Sequence, residues 1–84
     1  MYYVYILQSV KSGKLYIGST SDVKKRIIKH NQSEVFSTKP YIPWILIYTE
    51  GYRLKSLALK REHNLKYQGR VLKLLLRRLG DSLS

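Results

Sequence analysis

The sequence contains no cysteine. That excludes disulfides and thiolate metal centres, and it suits a reducing, cytoplasmic setting better than a secreted one. Acid is also scarce, with only five Asp and Glu among 84 residues. Any metal site must therefore use very few protein carboxylates. The uncharged apolar runs are far shorter than the ~20 residues that cross a bilayer. Met1 leads straight into strand-like sequence, without the basic stretch and apolar core of a signal peptide, so neither export nor a membrane anchor is expected. There is no Gly-rich phosphate loop. The two histidines, His30 and His63, lack zinc-ligand spacing, and no Ser-His-acid set has a nucleophile context.

What is present in excess is positive charge. Sixteen Lys and Arg give a net charge of +11. A domain this basic attracts polyanions, and counterion release from nucleic acid would supply affinity without sequence preference. A membrane surface is the competing polyanion. The cations are spread over every segment and form no single amphipathic stripe or tail, which favours nucleic acid. Hydrophobic residues make up 44%, enough for one small core, so residues 1–84 read as a single domain with its packed part at about 2–79.

Residues 2–8 are β-branched and aromatic and read as a strand. Ser12-Gly13-Lys14 is a turn signal, and Leu15–Gly18 follows as a second, antiparallel strand. Tyr3 and Tyr5 share one face of the first strand, and Tyr2, Val4 and Ile6 share the other. A helix from Asp22 to Asn31 follows, then an irregular loop from Val35 to Pro43. The nearly continuous apolar run Trp44–Thr49 reads as the third and most buried strand. Glu50-Gly51-Tyr52 leads into a helix capped by Ser56 that ends near Tyr67. Leu72, Leu75, Leu76 and Leu79 form the stripe of a last helix, with Gly80 placed to terminate it and fraying expected from Asp81 to Ser84. The expected class is α/β: a small three-stranded antiparallel sheet flanked by three helices, in the order β-β-α-β-α-α.

The chemistry-bearing stretch is Leu15–Asn31. A strand end carrying Tyr16 meets Gly18, and Ser19, Thr20, Ser21 and Asp22 offer helix-capping oxygens. Arg26 and His30 then lie four apart on one helix face. Two readings fit: a phosphate-handling site, or a strand-turn-helix with a solvated basic face, which is the commoner fate of an isolated charge pair. Glu62 lies four after Ala58 and three before Leu65, so it points near the buried side. There it needs a partner or a metal, or it simply pairs with Lys66 four residues on.

Together these residues resemble the GIY-YIG nuclease family. Tyr3-Val4-Tyr5 stands for the first half of the signature and Tyr16-Ile17-Gly18 for the second. Arg26 and His30 fall on the helix positions, and Glu62 sits in the R-E-H-N-L-K stretch of the metal-binding glutamate. Tyr3 replaces the first glycine of the motif, Ser19 stands where some members have lysine, and Asn64 is too near Glu62 to be the family's late-loop Asn. The resemblance implies a metal-dependent endonuclease acting on DNA, on branched or damaged structures in repair or recombination, or a nucleic-acid-binding module on the same fold with weak or lost catalysis. It implies Tyr5, Tyr16, Arg26, His30 and Glu62 as catalytic residues, and one Mg²⁺ or Mn²⁺ held by Glu62. Tyr16 and His30 compete for the role of general base, His30 with an ordinary near-neutral pKa. Lys14, Lys25, Lys29, Lys39, Arg61 and Lys66 are the cations expected to meet phosphate, and a targeting protein partner fits so small a domain.

Overall fold

A computed structural model describes residues 1–83, with side chains through residue 80. Strands β1 (Tyr2–Ser9) and β2 (Leu15–Thr20) form a hairpin, and helix α1 (Val23–Asn31) follows. A short 3₁₀ turn, Lys39–Tyr41, interrupts the loop before β3 (Trp44–Tyr52). Helices α2 (Lys55–Tyr67) and α3 (Gly69–Leu83) complete the chain. This is the expected β-β-α-β-α-α order around a three-stranded antiparallel sheet.

The strand order is β2-β1-β3, so the central strand is β1. The apolar run of β3 misled the sequence reading, because it lies at an edge with Ile45 and Leu46 exposed. β1 is buried on both faces instead. Val4 and Ile6 pack with Ile17, Ala58, Leu65 and Leu75 beneath α2 and α3. Tyr5 and Leu7 pack with Trp44 on the other face, against Val23 and Ile27 of α1. Alternation along one strand thus feeds two layers of helix. A bulge shifts the β1–β3 register between Ile6 and Leu7, which face Tyr48 and Leu46. It lets Ile47 and Tyr48, neighbours in sequence, both join the α2–α3 layer.

Several boundaries differ from expectation. Glu50, Gly51 and Tyr52 belong to β3, where they pair with Val4, Tyr3 and Tyr2. α2 starts after Leu54 with no side-chain cap, so Ser56 lies inside it. α3 passes through Gly80 to Leu83. A glycine in an open helix position costs only ~1 kcal/mol, which does not end a helix already docked by Val71, Leu72, Leu75 and Leu79. Leu76 lies outside that packed set. Of the residues expected to fray, Ser84 lies outside the described residues. No helix among those described is long and apolar enough to cross a membrane.

Candidate active site

The site forms where the β1–β2 hairpin meets α1. Tyr5 faces Gly18 across the hairpin, and the hydroxyl end of its ring occupies the space beside the glycine. A Cβ at Gly18 would stand 2.5 Å from the Tyr5 hydroxyl oxygen and 2.6 Å from Cζ. Only glycine leaves room for this phenol at the strand end. Tyr16, opposite Leu7 on the same sheet face, places its ring 6.2 Å from that of Tyr5 and 4.7 Å from the His30 imidazole.

α1 supplies the other half. Asp22 caps it, its Oδ1 accepting from Lys25 N at 3.0 Å, in line with the capping oxygens read from the sequence. Val23 and Ile27 dock the helix on the sheet, which turns Arg26 and His30 toward the tyrosines. Arg26 Nε donates to the Tyr5 hydroxyl at 3.4 Å. The Tyr5 hydroxyl lies 3.1 Å from His30 Nε2, and His30 Nδ1 lies 2.9 Å from Thr38 Oγ1. Asn31, at the end of α1, fixes the helix to β3: its side chain donates to Trp44 O at 3.0 Å and accepts from Trp44 N at 2.6 Å.

Burial sets the protonation states. Tyr5 is 1% exposed and His30 fully buried. Burial first, with the Arg26 charge second, lowers the His30 pKa to about 4. His30 is therefore a neutral imidazole at neutral pH and does not titrate in the near-neutral range expected from its sequence context. Burial likewise dominates at Tyr5, outweighing the Arg26 bond and raising the phenol to about 12. Tyr5 keeps its proton. Arg26 makes no ion pair among the described residues, and its bond to Tyr5 is the main reason its pKa rises further.

Glu62 reaches the same edge from the other side of the sheet. Ser19 of β2 donates to its Oε1, and Lys66 Nζ binds Oε2 at 2.6 Å. The pairing with Lys66 is thus real, yet the carboxylate is only 17% exposed and its charge is felt at Tyr5. Lys66 links the two halves, since its Nζ also lies 6.0 Å from the Tyr16 ring centroid. Beside Arg26, a cleft of about 190 Å³ is lined by Thr20, Ser21, Asp22, Lys25, Arg26 and Lys29.

The other expected cations divide. Lys14 stacks on Tyr41, 4.2 Å from its ring centroid, and Lys39 opens the 3₁₀ turn. Arg61 is placed elsewhere: its Nε is 2.6 Å from Glu50 Oε1, so an acid of β3 already neutralises it. Sequence reasoning missed Thr38 and Asn31. Thr38 touches His30 across an eight-residue gap that no helical or strand period bridges.

The sequence matches the GIY-YIG catalytic domain over residues 1–74. The chain belongs to the GIY-YIG family. Within it, the chain groups with small UPF0213 proteins. It is 45% identical to one from Staphylococcus saprophyticus, over 89% of this chain and 92% of that protein. It is 43% identical to one from Staphylococcus epidermidis, over 87% and 89% respectively. The solution structure of the UPF0213 protein BH0048 from Bacillus halodurans superposes with a TM-score of 0.56 at 36% identity, covering 94% of this chain and 85% of that one. A GIY-YIG catalytic domain implies a nucleic-acid substrate and a nuclease activity, and the family typically uses a divalent metal.

No group of three or more His, Cys, Asp or Glu gathers among the described residues. A zinc or calcium cage is therefore not available. One partly exposed carboxylate does suit Mg²⁺ or Mn²⁺, which bind through one or two carboxylates and keep waters and substrate oxygens as their other ligands. Glu62, at present paired with Lys66, is the carboxylate that could hold such an ion.

Proposed function

We propose that the domain is a metal-dependent endonuclease that hydrolyses phosphodiester bonds in DNA, branched or damaged DNA being the favoured substrate. The observation that carries this reading is Arg26: a guanidinium with no acidic partner among the described residues, held against the buried Tyr5 phenol and opening on a cationic cleft. An anion completes that arrangement, and the fork of a guanidinium matches two phosphate oxygens. Lys25 and Lys29 hold the neighbouring phosphates, and the remaining basic surface adds affinity of the salt-sensitive kind.

In the reaction Arg26 binds the nonbridging oxygens and offsets the charge that grows on them. Tyr5 and Tyr16 orient the attacking water. Tyr5 does so as a neutral phenol, and Tyr16, beside Arg26 at the edge of the site, accepts the water's proton after first releasing its own to solvent. His30 does not exchange protons with water; it holds Tyr5 in place. A divalent metal, when bound at Glu62, would supply Lewis-acid stabilisation of the leaving oxygen. Lys66 must release Glu62 for that, and its 2.6 Å hold on the carboxylate favours the second reading, a nucleic-acid-binding domain with little catalysis.

Incubating the protein with plasmid, linear and branched DNA in Mg²⁺ or Mn²⁺ separates the two. Nuclease function requires cleavage by the native protein, and loss of cleavage but not of DNA binding in Glu62→Gln. Binding with no cleavage of any substrate leaves the binding-module reading.

A further inference from the structure

Four buried or half-buried side chains form one continuous line: Arg26, Tyr5, His30 and Thr38, ending on the carbonyl of Val35. The two ends are chemically one-way. A guanidinium only donates and a backbone carbonyl only accepts. Every group between them can face either direction, because a hydroxyl donates once while accepting, and a neutral imidazole has one N–H and one bare nitrogen.

We infer that Thr38 fixes the direction of this chain, selects the Nδ1–H tautomer of His30, and is thereby a positioning residue for Tyr5. Thr38 Oγ1 lies 3.2 Å from Val35 O and donates to it. Its oxygen then accepts from His30 Nδ1–H at 2.9 Å. That leaves Nε2 bare, and the Tyr5 hydroxyl donates to it over 3.1 Å. The Tyr5 oxygen is left as an acceptor toward Arg26 Nε–H at 3.4 Å. In this direction each hydrogen in the line has an acceptor.

The opposite direction is poorer. His30 Nε2–H would then point at the same Tyr5 oxygen that Arg26 already uses. The Thr38 hydrogen would leave Val35, and the Tyr5 hydrogen would turn away from His30 to the side where Arg26 sits. Tyr5, His30 and Thr38 are 1%, 0% and 1% exposed, and buried polar groups strongly favour full pairing. Thr38 is itself clamped: its N–H donates to Val35 O at 3.2 Å, and its carbonyl accepts from Trp44 Nε1 at 2.9 Å. The loop thus presents the hydroxyl at a fixed point.

The consequence for chemistry rests on the nuclease reading. A Tyr5 oxygen that only accepts toward the cleft takes a hydrogen from the attacking water and leaves a water lone pair free for phosphorus. A Tyr5 that donated into the cleft would occupy that lone pair.

The test reads the tautomer directly, by ¹⁵N chemical shifts of the His30 ring nitrogens in the native protein at neutral pH, with no substrate present. The expected spectrum has Nδ1 protonated and Nε2 bare. Thr38→Val should shift the population toward the Nε2–H form, and Thr38→Ser should restore the native pattern. Single-turnover DNA cleavage should fall about 10- to 100-fold in Thr38→Val and recover in Thr38→Ser, taking as a guide the scale for partners that orient metal-bound histidines. An Nε2–H tautomer in the native protein, or an unchanged tautomer in Thr38→Val, overturns the inference. A switched tautomer with an unchanged cleavage rate overturns the positioning role. If Thr38→Val does not fold, the native and Thr38→Ser spectra still decide. A protein that cuts no DNA overturns the nuclease reading alone, because the spectra need no activity.

Discussion

Two clusters in this molecule combine tyrosine, arginine and polar burial, and they end in opposite electrostatic states. On β3 and α2, Glu50 accepts from Tyr48 at 2.7 Å, Tyr52 at 3.0 Å and Arg61 at 2.6 Å. Burial pushes the Glu50 carboxyl up, but those three bonds together hold it below its usual range. The charges cancel, and Glu50 takes both phenol hydrogens and the Arg61 Nε–H. On β1, β2 and α1, Arg26 instead meets the neutral Tyr5 beside a neutral His30. No acid among the described residues pairs with its positive charge. A closed cluster ties an edge strand to a helix. The open one sets a guanidinium against neutral rings with no acidic partner among the described residues, and this is what separates it from a structural ion pair of similar composition.

Cleavage should separate the two arginines most widely. Arg26→Ala should lower the single-turnover rate about 10²–10³-fold at every pH, the scale seen on losing one preorganised donor, with little change in melting temperature. Arg61→Ala should do the reverse, melting earlier and cutting at the native rate. Equal losses of rate in both would erase the distinction.

The next effect is on stability. His30 binds a proton at about 4 in the folded protein and near 6.5 when unfolded. Below pH ~6.5 the unfolded chain therefore takes up a proton that the folded one refuses. Stability is complete above that pH and falls by about 3 kcal/mol as pH drops toward 4. Denaturant titrations of the native protein and His30→Gln across this window should show the slope in the first and a flatter line in the second.

Glu50 works lower on the scale. Its depressed pKa stabilises the fold above the ordinary carboxylate pKa and is lost as acid protonates it. Glu50→Ala should cost about 1–2 kcal/mol at neutral pH by leaving Tyr48, Tyr52 and Arg61 short of an acceptor, and the gap to native protein should close below pH ~4. Smaller still are the phosphate cations: Lys25→Ala and Lys29→Ala should each reduce the salt slope of DNA binding by about one ion and leave cleavage at saturating DNA near native.

The open cluster was largely legible in the sequence, and the closed one was not. Alternation put Tyr5 on its face of β1, and the four-residue spacing of Arg26 and His30 put both on one side of α1. These are local periods. Gly18 reads in the sequence only as the end of the second strand, whereas its role is to accept the Tyr5 ring, a contact across strands. The His30 pKa escaped because burial depends on Tyr5, Tyr16 and the Thr38 loop packing around it. Sheet order escaped as well, since an apolar run such as Trp44–Thr49 does not state which neighbours it will have. Tyr48, Glu50 and Tyr52 do alternate with a period of two, a signal hidden by ending the strand at Thr49. Extending it would have shown an acid between two phenols, though not that Arg61 would reach it.

The difference between an open and a closed arginine is most directly read by following the Nε–H signals of Arg26 and Arg61 by NMR while a short DNA duplex is added without metal. The expected result is a large, saturable shift at Arg26 and none at Arg61. A shift at Arg61 with Arg26 unmoved would contradict the placement of the phosphate site on α1.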